Sequence, residues 1–343
     1  MAVPKLQDYA LVVGIDRYAA TDFLEPLNGP KNDVQQFIDW LQSPSGGKVD
    51  AQNVKPYMLV SDDLGTTPKS NEIVDVVKKL LALSHGGEVR IGRRLYIFLA
   101  GHGVGPDLDD VGLLTAEATE DVPIYVEGRR YANLFRGRAV FDEVVLVMDC
   151  CRDFDGELPP PYFPFKKRID SGGAHRVKRF YAYATGFGRA SREKDFGKKV
   201  SGIFSHVIIS GLEGGAVDGE GRITGASLER YVKSKMKLLS PPGLEQIPEI
   251  HGDADLVFAD GFPPAIVTAT IEATVPHDKV AVLYGHEFKP VENPIQSLNK
   301  REFQIPLRIG KAYVFQLLGV DGTILKQDGR TIESVDEVLH VKL

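Results

Sequence analysis

Cysteine is almost missing from this chain: there are two in 343 residues, and they are adjacent, Cys150 and Cys151. Neighbouring cysteines rarely bond to each other, so reduced thiols and a cytoplasmic protein are expected. Two thiols and eight scattered histidines show no ligand spacing for zinc, and no cofactor is expected. No apolar run approaches the ~18 residues needed to span a bilayer. The opening MAVPKLQDY lacks the basic-then-apolar pattern of a signal peptide and is expected to lead straight into a strand. An excess of positive charge is also lacking. Lys and Arg number 41 against 47 Asp and Glu, a net charge of -6, so neither a nucleic acid nor a membrane is expected as partner. Internal repeats and low-complexity segments are absent. So is a G-x-S-x-G elbow, which argues against an α/β-hydrolase, whose nucleophile must also precede its histidine.

What remains is ample for a large core. Hydrophobic residues make up 43% and charged residues 26%, an ordinary globular balance at a length that suits two domains. Tyr9–Ile15 (YALVVGI) reads as a buried strand, and a helical period starts near Lys31 with Val34, Phe37, Ile38 and Leu41 on one face. A second strand is expected over Val54–Val60 and a second helix over Ile73–Leu83, capped near Ser70. Arg94–Ala100 reads as a third strand, Val144–Asp149 as a fourth and Phe180–Ala184 as a fifth. Helices are expected around Phe204–Leu212 and Leu228–Leu238, and a short sixth strand at Leu256–Ala259. Strands alternating with helices imply a mostly parallel sheet covered on both faces.

From about Phe262 the pattern changes. Apolar runs at Ala265–Ala273, Lys279–Leu283, Phe303–Ile309, Tyr313–Leu318, Thr323–Lys326 and Val338–Leu343 carry no helical period. Turn signals at Asp321-Gly322 and Asp328-Gly329 separate several of them. A small β-sandwich over 261–343 is the expected second domain, after an α/β domain over 1–260.

Chemistry concentrates at two strand ends. The third strand runs into Gly101-His102-Gly103 and the fourth into Asp149-Cys150-Cys151-Arg152. In open α/β sheets, sites lie at the carboxyl ends of strands. If the two strands are neighbours, an imidazole past one end can face a thiol past the next. Free cysteine titrates near ~8.5, so such an imidazole would help to form the thiolate. The glycines beside His102 would let a substrate backbone approach the ring. Taken singly, a strand-end histidine is more often a turn residue, and a buried cysteine a small hydrophobe. Taken together, their order and separation of about 50 residues match the caspases.

The chain resembles the caspase-like cysteine peptidases of clan CD, family C14, and within them the bacterial metacaspase-like (orthocaspase) branch. The matching pieces are ALVVGIDRY (10–18), LNGPKNDV (27–34), IFLAGHG (97–103), VVLVMDCCRDF (144–154) and the run GIFSHVIISGLEGGAVDGEGRIT (202–224), which together span about 8–260. The resemblance implies a six-stranded, mostly parallel sheet flanked by helices, in a large part (about 1–155) and a small part (about 179–260) joined by a linker. It implies a His-Cys dyad. The motif Asp-x-Cys places the nucleophile at Cys151 with His102 as its base, and Cys150 in a variable, packed position. Asp153 departs from the small residue usual there. The backbone N–H groups of Gly103 and Cys151 would form the oxyanion hole. No third triad member is apparent.

Asp149 stands where a caspase has a neutral glutamine. A carboxylate in the pocket for the residue before the scissile bond would repel Asp and attract Arg or Lys. Asp33 matches the metacaspase aspartate lining the same pocket, and two carboxylates suit a guanidinium fork; its other reading is a carboxylate favoured by a helix N-terminus. The expected partners are protein or peptide substrates with Arg or Lys at the cleavage site. Many metacaspases bind calcium, but their ligands do not align onto Asp107, Asp109, Asp110, Glu117, Glu120 or Asp121, and no metal is assigned. Basic residues in the 155–179 loop, Lys166-Lys167-Arg168 among them, read either as a self-processing site or as a solvated charged loop. The resemblance further implies a stress or antiphage setting, and the C-terminal β-domain is expected to be an accessory module for substrate recruitment, docking of a regulatory partner or inhibition. The alternative is a catalytically inactive caspase-fold scaffold, whose sign would be loss of the histidine or cysteine; both are present.

Overall fold

The computed structural model describes residues 7–106, 110–152, 158–161, 163–166, 168–170, 172–186, 189, 191–197, 199–240, 246–285, 287–309, 311–332 and 339–343. In chain order the first part comprises β1 (Tyr9–Gly14), α1 (Pro30–Gln42), β2 (Met58–Val60), α2 (Ser70–Ala82), β3 (Gly92–Ala100), β4 (Gly103–Val104), β5 (Gly112–Leu114), β6 (Tyr125–Glu127), α3 (Gly128–Gly137) and β7 (Phe141–Asp149). Then come β8 (Lys178–Tyr183), β9 (Glu193–Asp195), β10 (Val200–Gly202), α4 (Ile203–Ser210), β11 (Ile223–Thr224), α5 (Gly225–Leu239), β12 (Glu249–Gly252) and β13 (Val257–Ala259).

Six strands form the central sheet in the order β12-β8-β7-β3-β1-β2. All neighbours are parallel except β12, which runs antiparallel to β8. Side chains alternate between faces, so the uninterrupted apolar runs of β1, β3 and β7 fill two cores. Leu11, Leu95, Ile97, Leu146 and Met148 pack with α2 and α3; Ala10, Val12, Phe98, Val145 and Val147 pack with α1, α4 and α5. On the second face Phe37 of α1 stacks on Phe98 at 4.6 Å between ring centroids, which seats α1 on the sheet. This is the caspase-like α/β fold that the sequence resemblance implied.

The sequence reading needs correction in several places. Only Met58–Val60 of the expected second strand is extended, because Ala51–Asn53 and Lys55–Tyr57 form two tight helical turns, the latter around Pro56. Val257–Ala259 is a strand but not in the main sheet; it pairs with β11. The sixth strand is β12, whose short polar sequence EIHG carries no apolar signal. The β4-β5-β6 sheet and α3 were not anticipated. Helix α2 does start at Ser70, and Glu72 in its first turn accepts the Lys69 N–H at 2.7 Å.

In the described parts of the 158–170 segment the basic side chains Lys166 and Arg168 are exposed, while apolar ones anchor the chain. Leu158, Phe163 and Phe165 pack against the α2/α3 core, and Tyr131 of α3 lies 5.3 Å from the Phe163 ring. The Tyr125 hydroxyl donates to Pro159 O at 2.9 Å. Lys167 lies outside the described residues, as do Asp107, Asp109 and Asp153.

The C-terminal strands are β14 (Ile266–Glu272), β15 (Lys279–Tyr284), β16 (Lys289–Pro290), β17 (Gln296–Ser297), β18 (Glu302–Arg308), β19 (Ala312–Leu318), β20 (Ile324–Thr331) and β21 (His340–Lys342). They form two four-stranded sheets, β17-β18-β14-β21 and β16-β15-β19-β20, around one apolar core that includes Ile271, Ile305, Phe315 and Leu317. Asp321-Gly322 does turn the chain, with Gly322 at φ +80, but Asp328-Gly329 lies inside β20. That strand is an exposed edge, where strand-breaking residues are tolerated. The Asp218–Gly221 turn docks this part onto the first: Glu220 pairs with Lys311 at 3.0 Å, and Ala265 N–H donates to Asp218 O at 3.2 Å.

Phe37→Ala is expected to cost about 3–5 kcal/mol of stability by opening a cavity between α1 and the sheet. Urea unfolding followed by fluorescence of Trp40, the single tryptophan and buried beside Phe37, measures it.

Candidate active site

β3 and β7 are neighbours, and Ala100 pairs with Asp149 across them. The chain therefore leaves both strands at the same level, and the Gly101 N–H donates to Asp149 O at 3.2 Å. Two residues further on, His102 and Cys151 line one cavity of about 80 Å³. The glycines flanking His102 serve a purpose other than substrate access. A Cβ on Gly103 would lie 2.5 Å from the Cys151 carbonyl and 2.6 Å from Cys150 Cβ; one on Gly101 would lie 2.8 Å from the Tyr18 hydroxyl. Their bareness lets the histidine loop lie directly on the cysteine loop.

His102 is held at two points that the sequence reading missed. Its N–H donates to the Tyr18 hydroxyl at 2.8 Å, and that hydroxyl donates to Ile15 O at 3.1 Å. Its Nε2 lies 2.8 Å from Glu25 O. A carbonyl only accepts, so Nε2 carries the hydrogen and Nδ1 of the neutral ring is left as the basic nitrogen. A main-chain carbonyl thus orients the ring where no third side chain was apparent.

The two cysteines differ sharply. Cys150 is buried in the α2/α3 core, and burial first, then the Asp149 charge, pushes its thiol well above the ordinary range. Cys151 is partly exposed; its Sγ accepts the Ser191 N–H at 3.2 Å and donates to Ser191 O at 3.7 Å. The next residue anchors the loop. Arg152, 1% exposed, donates to Glu249 Oε2 of β12 at 2.6 Å, and its N–H donates to Arg189 O at 3.0 Å. Gly103 sits opposite Leu113 in the β4-β5 pair, while Leu114 N–H donates to His102 O; the Gly103 N–H therefore faces away from that ladder.

Asp33 and Asp149 meet in the same cavity, from α1 and β7. Asp149 accepts from Ser191 Oγ at 2.6 Å and from Ser205 N–H at 2.8 Å. Asp33 accepts from Ser201 Oγ and from Gly202 N–H. A Cβ on Gly202 would overlap an Asp149 carboxylate oxygen, so only glycine fits between the two acids. Burial raises the pKa of both carboxyls; the Asp149 charge raises Asp33 further, while the Ser191 and Ser205 contacts pull Asp149 back down. A third acid, Glu193, joins them; it accepts the Gly29 N–H at 2.7 Å, at the start of α1. It lies in the polar stretch Ser191-Arg192-Glu193-Lys194, and nothing in that local pattern marks it. Asp33 thus has an acidic cavity on one side and a helix start on the other. Elsewhere, Glu117 caps α2 by accepting the Ser70 N–H.

A thiol and an imidazole converging at the carboxyl ends of a parallel sheet, on this framework, define a cysteine peptidase of caspase-like fold. The family profile described as the caspase domain, of the C14 peptidases, matches residues 7–255, and the chain belongs to that family. Caspase-1 from Spodoptera frugiperda is similar in fold, with a TM-score of 0.52 at 15% identity over 75% of this chain and 91% of that one. No curated protein matches. Among the described residues no helix is long and apolar enough to cross a membrane.

Tyr18→Phe strips the His102 N–H of its acceptor and is expected to lower stability by about 1–2 kcal/mol. Urea unfolding read from Trp40 fluorescence checks this; an unchanged midpoint would show that the hydroxyl does not hold the loop.

Proposed function

We propose that the protein is an endopeptidase of the metacaspase-like branch that cuts protein substrates after arginine, and less readily after lysine. Cys151 attacks the scissile carbonyl, and His102 takes its proton and returns it to the leaving amine. The N–H groups of Gly103 and Cys151 receive the developing oxyanion. One observation carries the specificity: Asp33, Asp149 and Glu193 line the cavity that His102 and Cys151 also line. Three carboxylates there, against the Arg192 guanidinium that also lines the cavity, leave a negative excess that attracts a cation and repels an aspartate side chain. A guanidinium offers a planar fork to two carboxylates at once, which an ammonium does not. The peptidase unit covers 1–260 and the β-rich unit 261–343, which serves to dock a regulatory partner. Cytoplasmic action in a bacterial stress or antiphage response, with cleavage in the 155–179 loop at Lys166 or Arg168, completes the reading.

Fluorogenic peptides with Arg, Lys and Asp before the scissile bond test it. Cys151→Ala is expected to abolish turnover and Cys150→Ala to retain it. Asp149→Asn should lower kcat/KM for Arg substrates ~30-fold or more, because the bound guanidinium loses its buried partner. Preference for Asp would overturn the pocket assignment, and turnover by Cys151→Ala the nucleophile.

The raised carboxyls give a second test. A bound guanidinium lowers both pKa values, so binding an Arg peptide releases protons, and 1/KM rises with pH through the raised titration range. Calorimetry of Cys151→Ala with an Arg peptide in two buffers of different ionisation enthalpy reads this; heats independent of buffer would exclude it. The unliganded protein responds oppositely. With folded pKa values above the unfolded ~3.9, the stabilising contribution of the pair is complete below that value and is lost as pH rises through the folded ones.

A further inference from the structure

On the sheet face covered by α3, the helix and the described residues of the 158–170 strap line a cavity of about 680 Å³, within the ~300–1,000 Å³ usual for small-molecule sites. Arg130 and Arg136 of α3, Arg168 of the strap and Arg179 of β8 line it, against two carboxylates, Asp110 and Glu127. Glu127 is already engaged by Arg130 at 3.3 Å. Among the described residues, no carboxylate lies within ion-pair distance of the Arg136, Arg168 or Arg179 side chains. Arg136 and Arg168 donate instead to carbonyls, Val177 O at 3.5 Å and Gly86 O at 3.2 Å, which do not neutralise a charge. The crowding is felt nearby: burial first, then Arg168, pushes the Arg138 guanidinium below its ordinary value. Phe163 and Phe165 supply the aromatic part of the remaining wall, beside Asn133, Leu134, Ile169 and Ala174. Phe163 and Phe165 meet edge to face at 5.3 Å, and the Arg130 guanidinium lies 4.5 Å over the Phe163 ring.

We propose that this cavity is a binding site for a nucleotide-like ligand, with phosphate on Arg136, Arg168 and Arg179 and a planar base against Phe163 and Phe165. Guanidinium forks match phosphate oxygens in pairs and are the missing anion's natural partners. Aromatic and guanidinium faces take a flat base by stacking. Because one wall belongs to α3 and the other to the strap, a bound ligand ties the two together. The site is distinct from the Cys151 cavity and stands whether or not the specificity reading holds.

Calorimetry on the full chain at low salt tests it, with ATP and inorganic pyrophosphate as probes. ATP is expected to bind at least roughly tenfold more tightly than pyrophosphate, and Arg168→Glu to weaken ATP at least roughly tenfold. ATP should also slow trypsin cleavage after Arg168 in the unmodified protein. Arg168 is exposed, so the variant is expected to keep the parent's urea midpoint; should it not, Phe163→Leu takes its place with the same expected loss. No binding of ATP at millimolar concentration, equal affinity for pyrophosphate, or undiminished affinity in the variant would each overturn the proposal.

Discussion

Arg94 and Glu143 face each other across β3 and β7, joined by a 2.6 Å bond from Nε to Oε2 with the arginine fully buried. Such a pair contributes little net stability after desolvation, but it penalises any other pairing of the two strands, because a slip would leave the arginine charged and alone. A one-residue slip would also send every side chain of β7 to the opposite face. Register fixed at one end of the strands is register delivered at the other, where Ala100 stands beside Asp149 and the two loops leave together. The meeting of His102 and Cys151 rests on that alignment, about 20 Å of strand away.

The acids of the cleft present a different problem. Asp33 and Asp149 are 1% and 6% exposed, and among the described residues no lysine or arginine pairs with either; serine hydroxyls and backbone N–H groups of 191–205 donate to their lone pairs instead. Hydrogen bonds of this kind hold a carboxyl in place without neutralising it. On the proposed reading, the substrate's own cation supplies the missing charge, and the cleft is most complete when occupied. The same logic, with signs exchanged, governs the arginines under the strap.

The apolar strands were legible because burial on both faces leaves an uninterrupted run, and the His and Cys at their ends because few other residues could do that chemistry. Asp33 and Asp149 came through resemblance alone; nothing in their spacing distinguishes a pocket carboxylate from a helix-start acid. What the sequence concealed shares a physical cause. β12 is a short, polar edge strand recognised only by its partner, and β20 is solvated enough to carry Asp-Gly within a strand. Glu193 gains its place from a loop that folds back over 164 residues to Gly29. Glu25 acts through its carbonyl, which every residue has. In the strap, prolines and exposed basic residues mask the pattern of Phe163 and Phe165, which pack against the α2/α3 core.

The ladder between β7 and β8 joins six residue pairs, from Glu143 with Lys178 to Met148 with Tyr183, directly across the chain's passage through 150–177. The sheet is thus continuous through hydrogen bonds where the covalent path leaves it between β7 and β8. A break in that detour would give two polypeptides that remain one folded body, with Asp33, His102, Asp149 and Cys151 on one and Glu193 and Glu249 on the other. The molecule would become a heterodimer without passing through an encounter between separate subunits.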